Sequence, residues 1–374
     1  MFFNTKEKFS VYEVGGDDSK TSAFFIDEDR NIHRSYNLRL FNFDLRKWFE
    51  IKKENSPNHS IVALSPDFSA VRFFTFKYIR PDKDTPIDEV EIENFLAQLT
   101  QKMFLEFREE VGEEMGREEL DTILLDGRPI VFFVDSSLAH SPVGLKGREV
   151  KGVLELIFTD RASFNLIQPI IYSGEKVFLT TKDKSELMAV AHSAGKSALL
   201  DIRPDGRSIY LEYDPVGKEM LRRQFLNWSL GDFLGEIADF WALSPSATLD
   251  IYDRYLNDNV SERVADQITK IWKPALSSLL GELARIKAGG KVYFKAPIEF
   301  PSVIPLKKGR VELNNYPHNE VLSKLGFELG RKFKPKSVQD NFAQLAPLIE
   351  CYYDKGDERI NHTLRRRIHW LITH

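Results

Sequence analysis

Few residues of this 374-residue chain stand in arrangements that could do chemistry. Neither the GxSxG turn of a serine nucleophile nor the HExxH pair of a zinc protease occurs. Residues 193–197 end like a phosphate-binding P-loop, but Val190 replaces the glycine that should open such a loop. Two strand–turn–strand patterns remain, and each opens with an apolar strand that ends in an acid, Glu13 or Asp201. They indicate a weak internal duplication.

Strand-like and helix-like patterns alternate along the chain, which is typical of the α/β class. Gly15 and Gly16 stop the first strand, and residues 204–206 form the turn of the second hairpin. The strands of the two hairpins are predicted at residues 9–14, 23–26, 31–36, 198–202 and 208–213. Helices are predicted at residues 88–111, 230–243, 245–256, 261–286 and 341–352.

A small α+β unit is predicted within the first half. It begins with the 3.6-residue periodicity of residues 88–111 and ends with a strand at 149–158. Between them, strand patterns at 122–125 and 130–134 flank Asp126-Gly127, a dipeptide that favours a hairpin turn. We therefore interpret residues 83–160 as a subdomain inserted into the first lobe.

Composition excludes several classes of protein. Hydrophobic residues make up 42% of the chain and charged residues 29%, as in ordinary globular proteins. The net charge of -4 argues against nucleic-acid binding. The single cysteine, Cys351, allows no internal disulfide, and no histidine pairs with it to suggest a metal site. With no long apolar run and no signal-like segment, we expect a cytoplasmic location.

The paired hairpins resemble those of the superfamily that includes actin, sugar kinases and heat-shock ATPases. That resemblance implies an actin-like two-lobed fold of duplicated ribonuclease-H-like domains, with ATP held between the lobes. It would place Glu13 and Asp201 at facing strand ends, where such acids orient Mg²⁺ and water. The first phosphate loop would then contain Gly15, Gly16, Ser19 and Lys20.

Within this superfamily, the chain resembles the bacterial cell-division protein FtsA. Residues 134–136 and 141–150 are similar to a stretch of the FtsA inserted subdomain, with Asp135, Pro142, Gly144 and Gly147 at the matching positions. The order of residues 199–202, 225–229 and 236–238 is similar to that of the FtsA phosphate hairpin, the following strand end and the next helix.

The nucleotide loops depart from the family pattern. Pro204 lacks the N–H that a phosphate needs, and Asp205 would repel it. The glycine run expected on the adenine side is replaced by Lys295-Ala296-Pro297. We therefore expect a degenerate site with no competent ATPase activity and no cofactor. Weak or altered binding of ATP and Mg²⁺ is the alternative.

The last residues, 358–374, predict a basic amphipathic helix. Ile360, Leu364, Ile368 and Leu371 share one face, and Arg365 and Arg366 lie opposite. With Trp370, this pattern suits the interface of an anionic membrane, and FtsA proteins resemble it in ending with such a helix. Arg367 falls on the apolar side, so its guanidinium group would have to extend away from the apolar face to reach water. The alternative is a terminal helix that packs on the protein's own core or on a partner.

These observations support three hypotheses. The first is a non-catalytic FtsA-like adaptor that tethers cell-division or cytoskeletal partners to the cytoplasmic membrane face. By resemblance, its partner would be the tail of the tubulin-like FtsZ. Such an adaptor could also form filaments by self-association. The second is a PilM-like cytoplasmic scaffold of pilus or secretion assembly. The third is an atypical actin-like ATPase. The predicted domains are 1–82, 161–195 and 336–357 for the first lobe, 83–160 for the insertion, 196–335 for the second lobe and 358–374 for the terminal helix.

Overall fold

The computed structural model describes residues 7–15, 18–41, 59–171, 177–203, 207–214, 221–288, 291–301, 305–330, 337–354 and 356–368. The chain forms two compact units. The first unit contains Met1–Ala189 and His318–His374, and the second contains Val190–Pro317.

The central sheet of the first unit has six strands. They are β1 (Glu7–Val14), β2 (Asp18–Ile26), β3 (Asn31–Phe41), β4 (His59–Leu64), β9 (Val177–Thr181) and β16 (Glu328–Leu329), in the order β16-β3-β2-β1-β4-β9. β1, β2 and β3 form an antiparallel meander, whereas β4 runs parallel to β1 and β9 runs parallel to β4. Residues 9–14 are all buried, as expected for a strand with both faces covered.

A second, four-stranded sheet belongs to the same unit. It contains β5 (Ser69–Ile79), β6 (Thr122–Val134), β7 (Ser137–Ala139) and β8 (Glu149–Asp160), in the antiparallel order β5-β8-β6-β7. Helix α1 (Glu89–Met115) covers one face, where Phe76 and Tyr78 pack against Phe95. This α+β subdomain lies where the sequence predicts an insertion, and β5 joins it from before residue 83.

The hairpin predicted at Asp126-Gly127 is wrong. Residues 122–134 form one long strand with irregular register on either side of this dipeptide. A Cβ at Gly127 would lie 3.2 Å from Leu156 Cδ2 and 3.5 Å from Ile368 Cδ1. Gly127 therefore lies within a strand, where the absence of a side chain lets neighbouring elements pack closely, and it does not form a turn.

Five further helices lie wholly or mainly in the described part of the first unit. Three of them cover the sheets or connect their strands, and the last two are the closing helix and the terminal helix of the chain. They are α2 (Arg161–Ile171), α3 (Lys182–Ala194), α7 (His318–Lys324), α8 (Ser337–Tyr353) and α9 (Glu358–Ile368).

The second unit repeats the strand order of the first. Its strands are β10 (Ser197–Asp201), β11 (Ser208–Tyr213), β12 (Leu221–Leu226), β13 (Lys291–Lys295), β14 (Lys307–Lys308) and β15 (Val311–Asn315), in the order β12-β11-β10-β13-β15-β14. Its helices are α4 (Leu230–Trp241), α5 (Pro245–Leu256) and α6 (Glu262–Arg285). Phe233, Tyr252 and Trp272 meet at the centre of its core.

Five strands of each sheet share one topology, and the sixth strand, β16 or β14, lies at the opposite edge in the two sheets. In each, three antiparallel strands form a meander, and the first of them is followed in space by two parallel strands. This is the duplicated, ribonuclease-H-like α/β arrangement that the two acid-ended hairpins predict. The actin-like fold class, with a small α+β subdomain in the first half, is confirmed.

Candidate functional site

The first candidate hairpin places Glu13 near the end of β1, with a buried carboxylate. Lys182 Nζ lies 3.5 Å from Glu13 Oε1, and the Gln344 amide donates a 3.2 Å hydrogen bond to Oε2. Lys182 begins α3 immediately after β9, so the parallel strands bring it to the same sheet edge as Glu13. Both carboxylate oxygens therefore already have polar partners from the protein.

The other predicted residues of this hairpin are only partly described. Gly15 ends the described part of the first strand, and Gly16 lies outside the described residues. Ser19 and Lys20 lie in β2, where Lys20 is the register partner of Glu13, but their side chains are not described. Their predicted contacts with phosphate stay a prediction.

The second candidate hairpin repeats the pairing of acid with lysine. Asp201 ends β10 and is the register partner of Lys295, the last residue of the parallel strand β13. Lys295 Nζ lies 3.5 Å from Asp201 Oδ1. The turn at residues 204–206, with Pro204 and Asp205, lies outside the described residues.

These lysines change the chemistry available to the acids. A carboxylate that orients Mg²⁺ faces a divalent cation, whereas here an ammonium group already neutralises each carboxylate. In the part of the chain that the structure describes, no group of three or more His, Cys, Asp or Glu side chains could hold a metal ion. Both lysines directly follow or end apolar strands, and that position is the sequence signal that could have identified them.

The predicted loop of the inserted subdomain is brought together as a compact turn. Asp135 and Ser136 have φ of 45° and 72°, and the Asp135 carboxylate accepts hydrogen bonds from the N–H groups of Arg148 (3.0 Å) and Glu149 (2.8 Å). A Cβ at Gly147 would come within 2.5 Å of Val134 Cγ1. These contacts fix the conformation of the loop.

Pro142 and Gly144 shape the adjoining turn. Pro142 is buried, and its carbonyl accepts a 3.1 Å hydrogen bond from the N–H of Leu145. Gly144 has φ of 82°, a value that favours glycine, and its N–H donates to the carbonyl of Ile87 at 2.9 Å. The predicted residues Asp135, Pro142, Gly144 and Gly147 thus lie in one rigid loop.

The apolar face of the terminal helix α9 lies inside the first unit. Ile360, Leu364 and Ile368 are buried in the core between α1 and the four-stranded sheet. Arg366 is exposed, and Trp370 and Leu371 lie outside the described residues. In this arrangement the three apolar side chains are not available to a lipid surface.

Two arginines fasten this helix. Arg365 makes a bidentate ion pair with the buried Asp126, at 2.9 and 2.8 Å, and donates to the carbonyl of Val177 at 3.0 Å. Arg367 pairs with Glu93 at 3.1 Å and also contacts Asn94, both on α1. Arg367, which lies on the apolar side of the predicted membrane helix, is therefore paired with an acid of the protein itself.

The structure contains a buried cluster of four charges that the sequence does not predict. Arg128 (β6), Glu155 (β8), Lys184 (α3) and Glu350 (α8) come from four separate segments. Arg128 Nε donates to Glu155 at 2.6 Å, Lys184 Nζ lies 2.6 Å from Glu350, and Lys184 also contacts Glu155. The Thr180 and Ser185 hydroxyls donate to Glu350 at 2.7 and 2.8 Å.

The four charges balance one another. Burial alone would raise the pKa of Glu350, but Lys184 and Arg128 outweigh that effect and hold its pKa below the ordinary value. The cluster ties the four-stranded sheet to α3 and α8, the helices that also supply Lys182 and Gln344 to Glu13. Its four members are far apart in sequence, so no local pattern predicts them.

Comparisons with known proteins show a likeness in structure only. No protein-family profile and no curated protein sequence matches the chain. A chain of the PilM–PilN type IV pilus biogenesis complex matches 97% of this chain with 98% of its own length, at a TM-score of 0.50 and 14% identity.

Two further structures are more distant. A Bacteroides thetaiotaomicron protein described as having an actin-like ATPase fold has a TM-score of 0.36 and 8% identity, with 90% of this chain and 95% of that chain covered. The cytoplasmic domain of EpsL, an inner-membrane component of the Vibrio cholerae type II secretion system, has a TM-score of 0.34 and 11% identity, with 85% and 94% covered. Across its described helices, the chain has none long and apolar enough to span a bilayer. The fold is shared along nearly the whole chain with a chain of a pilus biogenesis complex.

Proposed function

We propose that this chain is a non-catalytic, actin-like scaffold of the PilM kind that holds a partner protein in a pilus- or secretion-type assembly. The whole-length fold likeness to a chain of the PilM–PilN complex supports the type of assembly. The lysines beside Glu13 and Asp201 support the absence of catalysis. A scaffold of this kind would be cytoplasmic and would work through protein contacts.

The observation that carries this proposal is the burial of α9. Burying three large aliphatic side chains contributes about 1.5–3 kcal/mol each to stability. Release of the helix would also leave Asp126, a buried carboxylate, without its guanidinium partner, at a cost of about 3–5 kcal/mol. Binding of α9 to a membrane would have to offset the loss of both the buried apolar contacts and this ion pair before it became favourable. These contributions therefore favour packing of α9 in the core over binding of α9 to a lipid surface.

Three variants test the proposal. A chain truncated after Gly356 and the variant Leu364→Glu should both unfold at lower temperature, because each removes buried contacts of the first unit. The matched control, Arg366→Glu, changes an exposed residue of the same helix and should leave the melting temperature unchanged. Co-sedimentation with anionic liposomes should show no binding by the full-length chain.

Opposite results would favour the second candidate, a membrane tether of the FtsA kind. In that case Arg366→Glu would weaken liposome binding and Leu364→Glu would leave stability intact. The exposed basic side chains Arg359 and Arg366 on α9 are the observation that favours this candidate. It would bring with it an FtsZ-like partner and filament formation.

A further inference from the structure

Strand β5 lies at one edge of the four-stranded sheet. It pairs with β8 along its whole length, and no other described strand pairs with its second side. The N–H of Arg80, directly after β5, donates to the carbonyl of Arg148 in the same register at 2.8 Å. Because hydrogen-bonded and non-hydrogen-bonded pairs alternate in an antiparallel ladder, the even-numbered residues of β5 bond to β8. The main-chain groups of the odd-numbered residues therefore point away from the sheet.

The neighbouring strand agrees with this direction. Glu149 of β8 lies opposite Ile79, and its carbonyl accepts a 2.9 Å hydrogen bond from the N–H of Asp135, on the side of β6. The main chain of Glu149 therefore faces β6, and that of Ile79 faces outward. Thr75, Lys77 and Ile79 are exposed, and Lys77 contacts Glu149 of the same sheet. An open strand edge of this kind is a template for pairing with another chain.

A row of apolar side chains on α1 runs beside this edge. The row has a spacing of four residues, which aligns side chains along one side of a helix, and consists of Phe95, Leu99, Met103 and Phe107. The ring of Phe95 stacks on Tyr78 of β5, with 4.6 Å between centroids, and the ring of Phe107 lies 4.9 Å from that of Phe74. All six side chains pack against the core and are only partly buried. An open strand and a half-covered helix row therefore lie side by side.

We propose that two copies of this chain pair through β5, antiparallel, about a two-fold axis at Thr75. With the axis perpendicular to the sheet, the two sheets continue into one and the two α1 helices lie on the same face. Each copy then supplies a strand for the open edge of the other and an apolar row for the row on α1. An isolated extended peptide would satisfy the edge but leave the row on α1 uncovered. This inference goes beyond the proposed scaffold role and does not depend on it.

The side chains of β5 are compatible with this register. Thr75 would lie opposite its own copy, Phe74 opposite Phe76, and Phe73 opposite Lys77. Cross-strand aromatic pairs stabilise sheets, whereas like charges directly opposite each other destabilise them. An axis at Lys77 would set that ammonium group against its own copy, so the charges of the strand favour the axis at Thr75.

Sedimentation velocity of the full-length chain over a range of concentrations tests the symmetry. The unmodified chain should form a dimer, and Thr75→Lys and Thr75→Glu should each raise its dissociation constant at least about tenfold, because two like charges then meet at the axis. An equimolar mixture of the two variants should dimerise again, since a lysine then meets a glutamate. Thr75 is exposed, so both variants should keep the melting temperature of the unmodified chain.

The matched control is Leu138→Lys. It places the same charge on an exposed residue of β7, at the opposite edge of the same sheet, and should dimerise normally. An unmodified chain that stays monomeric throughout, a mixture that stays monomeric, or an equal loss in the control would overturn the proposal.

Disulfide formation with an added oxidant tests the register. Directly opposite residues of a hydrogen-bonded pair have Cα atoms about 5.5 Å apart, within the reach of a disulfide. Thr75→Cys should therefore give a covalent dimer. Lys77→Cys should not, because an offset of four residues separates the two Cα atoms by roughly 13 Å. The unmodified chain, with Cys351 alone, should stay free of covalent dimer, and any other pattern would overturn the pairing about Thr75.

Discussion

A lysine lies beside the acid of each of the two hairpins. Lys182 and Lys295 belong to different units, yet each lies 3.5 Å from the acid at the end of the central strand. An ammonium group at that distance balances the charge of the carboxylate. At the residue scale, each hairpin therefore carries an acid whose charge is already balanced by a lysine.

The expected consequence is poor binding of nucleotide. ATP with Mg²⁺ should bind more weakly than about 100 μM, that is, with less than about 5.5 kcal/mol. The acids are paired with lysines, and Pro204 offers no N–H to a phosphate. Isothermal titration calorimetry measures this directly. Micromolar affinity, or steady release of phosphate, would show that the lysines serve the nucleotide instead of replacing its metal.

The turn between β2 and β3 should depend on pH through Asp27. A hydrogen bond from His33 is the main cause that lowers the pKa of Asp27 to about 2, and Asn31 adds further hydrogen bonds. Because the pKa of the folded state lies below the ordinary value of 3.8, the ionised carboxylate favours the folded turn. That contribution is complete well above pH 3.8 and is lost as the pH falls toward 2.

Hydrogen exchange of the amides at residues 29 and 31 checks this expectation. Their protection in the native chain, corrected for intrinsic rates, should fall between pH 4 and pH 2. In Asp27→Asn, which cannot ionise, protection should be lower at pH 5 and should change little across that range. An equal pH dependence in both chains would assign the effect to another group.

At the scale of elements, the buried charges hold the four-stranded sheet to α3 and α8. Lys184→Met should destabilise the first unit by about 3–5 kcal/mol, because it leaves Glu155 and Glu350 buried with one cation fewer. For a unit of this size the melting temperature should fall by on the order of 10 °C. Differential scanning calorimetry measures this shift.

The neighbouring lysine supplies the control. Lys182→Met changes a more exposed side chain on the same helix and should cost less than Lys184→Met, because Lys182 lies 3.5 Å from a single acid whereas Lys184 contacts two. Equal losses in the two variants would mean that the helix, and not the ion cluster, carries the effect.

The same elements mark the limit of prediction from sequence. Periodicity predicts α1 and the helices of the second unit within a few residues, because each carries its own apolar face. Asp126-Gly127 predicts a turn, yet Gly127 lies in a strand and Asp126 pairs with Arg365, 239 residues away. The amphipathic pattern of α9 predicts a buried face, but periodicity alone cannot distinguish whether protein or lipid covers it.

At the scale of the whole molecule, two sheets of one topology account for the duplicated hairpins in the sequence. The sequence predicts this repeat because each hairpin is local and carries its own acid and turn. It does not predict the lysines beside the acids or the four-charge cluster, which depend on strand order and on contacts between distant segments. The proposed scaffold role therefore depends most on contacts made late in the chain, above all those of α9.

Hydrogen exchange of α9 in the full-length chain, with and without anionic liposomes, tests that dependence most directly. We expect the amides of Leu364 and Ile368 to exchange slowly in buffer, as slowly as those of β6, because the helix is part of the core. Liposomes should not change their exchange rates. The contrary result would be rapid exchange in buffer that slows only when liposomes are added. That result would make α9 a membrane element and would contradict the proposed scaffold.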